Sequence, residues 1–139
     1  MNRDILIEIE SVDWEQFEGS PFYSASEVPV ALREVVSLNH EHDAERIKNM
    51  VLNSVGNNHE GIYYPVVLKA LDFLIRIQKE TTSKICKICV LGVLNDLYYF
   101  QPCVGDYKEC SANELKNYVL NILQPFNDEN TPLNDLSSV

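Results

Sequence analysis

The residues best equipped for chemistry in this sequence are its cysteines, Cys86, Cys89, Cys103 and Cys110, and its histidines, His40, His42 and His59. Cys86 and Cys89 make a C-x-x-C step, the spacing from which zinc sites and redox pairs are built. A zinc site needs a second such step, and six residues separate Cys103 from Cys110 instead. The first pair also falls on the apolar side of a helical pattern, where cysteine behaves as a small hydrophobe. Buried, reduced thiols are therefore expected. His40, His42, Asp43, His59 and Glu60 carry metal-ligand atoms, but no H-E-x-x-H or E-x-x-H repeat gathers them. His40 and His42 stand two apart at a helix start and are expected to point to different sides. The polarity of a helix start accounts for them, so neither a metal nor a cofactor is expected.

Nucleophilic catalysis needs an activated Ser or Cys beside a base, and phosphate chemistry needs a glycine-rich loop. The sequence has no G-x-S-x-G, no G-x-x-x-x-G-K-[ST] and only five glycines. Glu60 and Asp96 are conceivable as an acid and base pair, although solvated charges explain them as well. No catalytic residue is assigned, and the chain reads as a binding protein, not an enzyme. More informative are His59-Glu60-Gly61-Ile62-Tyr63-Tyr64-Pro65 and Asp96-Leu97-Tyr98-Tyr99-Phe100, which concentrate aromatics and acids at expected helix ends. Tyrosine gives large contact area at low entropic cost, and carboxylates pair with Arg or Lys on a partner. The alternative, that Tyr63, Tyr64 and Tyr98 seal the core, stays open.

Helices must position these groups. Val28, Ala31, Leu32, Val35 and Leu38 share one face of a helix starting near residue 27, with Ser24 or Ser26 as its cap and Pro29 in its first turn. A second spans about 40 to 55, with Ala44, Ile47, Val51 and Ser54 or Val55 inward and Glu45, Lys48 and Asn49 outward. Gly56 should close it in the left-handed conformation of a C-cap. The third, about 65 to 79, carries Lys69, Asp72, Arg76 and Lys79 as one narrow stripe beside a mostly apolar circumference, so neighbours must sandwich it as the central helix. A fourth spans about 83 to 99. A fifth uses Leu115, Tyr118, Val119, Ile122 and Phe126 behind the capping box Ser111-Ala112-Asn113-Glu114. In the first 20 residues Ile5, Ile7 and Ile9 alternate as in a strand, but helix is favoured because no later segment offers a strand partner. An all-α fold follows, with antiparallel helical hairpins in a bundle or a stack. One domain is expected over residues 1–126, followed by a polar tail at 127–139.

The 45% hydrophobic and 23% charged content of the 139 residues suits a globular chain. No apolar run approaches a membrane span, and the acids within Ile5-Leu6-Ile7-Glu8-Ile9-Glu10 argue against a secretion signal, so a cytoplasmic location is expected. The 21 acidic and 11 basic side chains leave a net charge of −10. That field repels nucleic acid and anionic lipid and attracts cationic proteins, including those whose active sites bind phosphate.

Three strings carry a resemblance: Val28-Pro29-Val30-Ala31-Leu32; Leu52-Asn53-Ser54-Val55-Gly56-Asn57-Asn58-His59-Glu60-Gly61-Ile62-Tyr63-Tyr64-Pro65; and Ala70-Leu71-Asp72-Phe73-Leu74, with Val93-Leu94-Asn95-Asp96-Leu97-Tyr98 on the following helix. Over roughly residues 14 to 100 the chain is similar to short HEAT-like helical proteins of bacteria. It resembles the immunity proteins encoded beside polymorphic and contact-dependent growth inhibition toxins. The resemblance implies a stacked, HEAT-like helical scaffold acting in the cytoplasm, whose function is to bind and neutralise a toxin domain, with no assigned catalytic residue. The acidic charge suits a cationic RNase or DNase domain as partner. Expected contact residues are Asp13, Glu15 and Glu18, the loop residues His59, Glu60, Tyr63 and Tyr64, and Asp96 with Tyr98. A non-inhibitory helical adaptor and an unrecognised hydrolase are the rival readings.

Overall fold

Ile5 and Ile9 are fully buried on one side of a helix, which decides the ambiguous N-terminal segment for α1, Asn2–Ser11. A computed structural model of the chain describes residues 2–17, 23–57, 62–99 and 112–126. After α1 come a single 3-10 turn, Trp14–Gln16, and then α2, Glu27–Val36, and α3, Ala44–Val55. Residues Gly56–Asn57 (β1) and Ile62–Tyr63 (β2) form a minimal antiparallel ladder, with Gly56 opposite Tyr63. The chain continues through α4, Val66–Glu80, and α5, Lys84–Tyr99, to α6, Ala112–Leu123. The fold is all-α.

The helical hairpins stack in register. Cys89 meets Ala44 and Asp96 meets Lys48, so α5 runs parallel to α3. Tyr23, ahead of α2, packs on Tyr64, ahead of α4, and the far ends of these two helices line one cleft, so α2 and α4 are parallel as well. Equivalent helices of successive hairpins thus lie on each other, α2 on α4 and α3 on α5. The buried side chains anticipated from periodicity, Val28, Ala31, Leu32, Val35 and Leu38 from the first hairpin among them, sit in one continuous core. α1 is tied to this stack by the pairs Glu10–Arg33 and Glu8–Arg76.

Several local expectations are corrected. Ser26 precedes α2 but makes no side-chain cap, and the Glu27 N–H donates to the Ser24 carbonyl at 3.1 Å. Gly56 does end α3, yet with φ −169° and ψ −177°, because pairing with Tyr63 draws the chain straight into an extended ladder. The expected loop is therefore a hairpin at its base. α4 shares the central position with α5, which touches α2, α3, α4 and α6 and buries Cys86, Cys89, Val90, Leu91, Val93, Leu94 and Leu97. Ser83 caps α5, its hydroxyl accepting the Cys86 N–H at 3.2 Å. Ser111, first residue of the anticipated capping box, and the tail at 127–139 lie outside the described residues.

Candidate functional site

Asp13 and Glu15 stand on a turn that the sequence itself makes stiff. The Asp13 carboxylate accepts the Glu15 N–H at 3.2 Å and so caps the 3-10 turn. Trp14 between them is buried, its indole N–H donating to the Ile9 carbonyl at 2.9 Å. Its ring packs at 6.0 Å from Phe73 on α4 and 6.3 Å from Phe17. The Tyr23 hydroxyl donates to the Trp14 carbonyl at 2.8 Å, and its ring meets Tyr64 edge-on at 5.1 Å. Burial pushes the Tyr23 phenol up to about 12. Through this aromatic chain the exposed acids of the turn are fixed to the end of the stack that carries β1 and β2.

The structure sorts the expected contact residues. Asp13 and Glu15 are exposed, and Tyr98 is partly exposed on the last turn of α5. Tyr64 is 1% exposed, so its ring seals the core and supports the hairpin instead of offering contact area. Tyr63 holds its place in β2 by backbone pairing. Glu18, His59 and Glu60 lie outside the described residues.

Asp96 is engaged within the fold: the Lys48 ammonium sits 3.1 Å from its carboxylate and 3.3 Å from that of Glu45. Lys48 was expected to point outward, but Gly92 on α5 leaves a groove along which its stem lies, and a Cβ there would stand 3.3 Å from the lysine Cδ. Partial desolvation lowers the Lys48 pKa, and the bonds and charges of Asp96 and then Glu45 outweigh it, so the net shift is upward. The isolated glycine inside a helical pattern was the available signal for that close approach.

Cys86 and Cys89 are buried free thiols, donating to the carbonyls of Val35 at 3.4 Å and Ala44 at 3.6 Å. Burial raises both, Cys89 to about 12, which keeps them protonated and poor nucleophiles. Cys103 and Cys110 fall outside the described residues. His40 and His42 do not diverge: their rings stack at 5.4 Å, because His40 is extended and a 3-10 turn, Glu41–Asp43, replaces the expected first helical turn. Among the described residues, no group of three His, Cys, Asp or Glu side chains is placed to hold a metal ion, and no helix is long and apolar enough to cross a membrane.

Sequence reasoning left α1 outside the site. Its outward face carries Asp4, Glu8 and Ile7, the last 62% exposed. Arg76 joins Glu8 to Glu80, the second contact at 3.3 Å, so one cation holds carboxylates from α1 and α4. The arrangement is a stack of helices with an exposed acidic edge whose turn is fixed by buried aromatics. Comparison with protein-family models, with characterised proteins and with solved structures finds no match.

Proposed function

We propose that this chain is an immunity protein that binds the C-terminal toxin domain of a contact-dependent growth inhibition effector in the cytoplasm. That domain is a cationic RNase or DNase, and binding occludes its active site. The observation that carries this reading is the exposed acidic edge of Asp13 and Glu15 on a turn braced by Trp14, Tyr23 and Tyr64. Carboxylates carried on a stiff backbone turn, that of Asp13 already held by the Glu15 N–H, occupy the place that nucleic-acid phosphates would take on a basic partner. A standard interface of about 800 Å² per partner accommodates this edge and the neighbouring hairpin.

Protection is the direct test. Cells expressing the toxin domain encoded immediately upstream should grow when this chain is co-expressed and stop growing when it is omitted. Growth arrest despite accumulation of the folded chain contradicts the proposal and favours a non-inhibitory adaptor.

A further inference from the structure

The sequence argues against a metal at His40 and His42 partly because side chains two apart at a helix start diverge. That ground does not hold in the fold. His40 is extended, with φ −127° and ψ 127°, and the 3-10 turn Glu41–Asp43 follows it, so the two rings lie stacked, 5.4 Å apart at an interplanar angle of 28°. Both side chains are exposed, that of His42 to 79%, so the core holds neither ring and both are free to turn.

The spacing suits a chelate. Metal–nitrogen bonds of about 2.0–2.1 Å, at angles of about 90–110°, put two imidazole centres about 4.5–5.2 Å apart. Small rotations of exposed side chains bring the observed 5.4 Å into that range. Asp43 adds a second observation. Its carboxylate stands 3.6 Å from His42 Nε2 and 3.6 Å from the Arg46 guanidinium, yet it makes no side-chain cap on α3, the role its place ahead of that helix would otherwise give it. A carboxylate against one ring nitrogen is the usual support of a metal-bound histidine, fixing the ring and leaving the other nitrogen, here Nδ1, for the metal. Local charge favours a cation as well: Glu41 and Asp43 stand against Arg46 alone, since Glu45 is engaged by Lys48. Among the described residues no third His, Cys, Asp or Glu side chain joins the pair, so solvent completes the coordination. Imidazole donors select nickel, copper or zinc over the hard cations magnesium and calcium.

We infer that His40 and His42 form an exposed two-imidazole chelate for a late divalent transition metal, with Asp43 orienting His42. The site lies beyond the C-terminal end of α2, whereas the proposed toxin contact at Asp13 and Glu15 precedes that helix, so the two readings stand or fall separately.

Nickel(II) is the probe, because unlike copper(II) it does not oxidise the chain's thiols. Calorimetric titration of the untagged chain at about pH 7.5, above the ordinary histidine value, should give one nickel per chain with micromolar affinity. His40→Gln and His42→Gln should each weaken binding at least about tenfold, and Asp43→Asn about tenfold, with the melting temperatures of the metal-free variants unchanged. His59→Gln, which alters the remaining histidine, should bind nickel as the parent does. No binding up to millimolar nickel, or binding that survives both His40→Gln and His42→Gln, would overturn the site. Parental affinity in Asp43→Asn would overturn the orienting role of that carboxylate.

Discussion

Lys48 on α3 reaches Asp96 on α5 at 3.1 Å by lying along the groove that Gly92 leaves open. The pair joins the second helix of one hairpin to the second helix of the next, with the two side chains 21% and 25% exposed. Removing Lys48 leaves a partly desolvated carboxylate without its main partner. Lys48→Met should therefore cost about 1–3 kcal/mol in urea denaturation, less than for a fully buried pair.

The same groove predicts a non-additive cycle. Glycine within a helix is less favourable than alanine by up to about 1 kcal/mol. In the parent, Gly92→Ala gains less than this, because the lysine stem must shift from a Cβ at 3.3 Å. In a Lys48→Ala background the full gain should return. Equal effects in both backgrounds, measured by chemical denaturation, would remove Lys48 from the account of Gly92.

Alkaline pH should unfold the protein. Tyr23 and Cys89 are each pushed up to about 12, and Cys86 and Lys48 are raised, so the folded state retains protons that the unfolded chain releases. A group with a raised folded pKa contributes stability that is complete below its unfolded value and lost as pH climbs through the folded one. For the thiols this loss begins near their ordinary value of about 8.5–9. The melting temperature should hold through neutrality with respect to these groups and fall from about pH 9 toward 12. Cys86 and Cys89 should likewise resist alkylation at pH 8 until denaturant is added, as mapped by peptide mass.

Trp14 is the single tryptophan and is 7% exposed, so it reports on the acidic turn directly. Its emission should be blue-shifted in the native state and move to longer wavelength on unfolding. Trp14→Phe removes the bond to the Ile9 carbonyl and should cost about 1 kcal/mol beyond the change in packing. Trp14→Ala should cost about 3–5 kcal/mol.

Charge reversal at Glu15 separates contact from stability. The side chain is exposed, and its backbone N–H, not its carboxylate, serves the turn. Glu15→Lys should leave the melting temperature within about 0.5 kcal/mol equivalent and weaken toxin-domain binding, most strongly at low salt.

Much of the scaffold was legible because helical periodicity and burial are the same fact seen twice: Ile47, Val51 and Val55 recur at helical spacing because one side of α3 faces the core. Long-range geometry was not legible in this way. Lys48 reads as a surface residue until Gly92, far along the chain, is placed beneath it. His40 and His42 read as diverging because a helical turn was assumed where a 3-10 turn forms. Of the expected contacts, Asp13 and Glu15 are exposed, whereas Tyr64 and Asp96 serve the fold, a distinction that residue type alone does not make. Ile7 reads in the sequence only as part of an alternating pattern, since its exposure follows from how α1 seats on α2.

The most direct measurement is calorimetric titration of this chain with an inactive form of the toxin domain that the proposed function requires, sought as the product of the adjacent upstream gene. One-to-one binding in the nanomolar range, weakened by Glu15→Lys, is the predicted result. An absence of heat and of complex at micromolar concentrations, with both proteins folded, would contradict the proposed function.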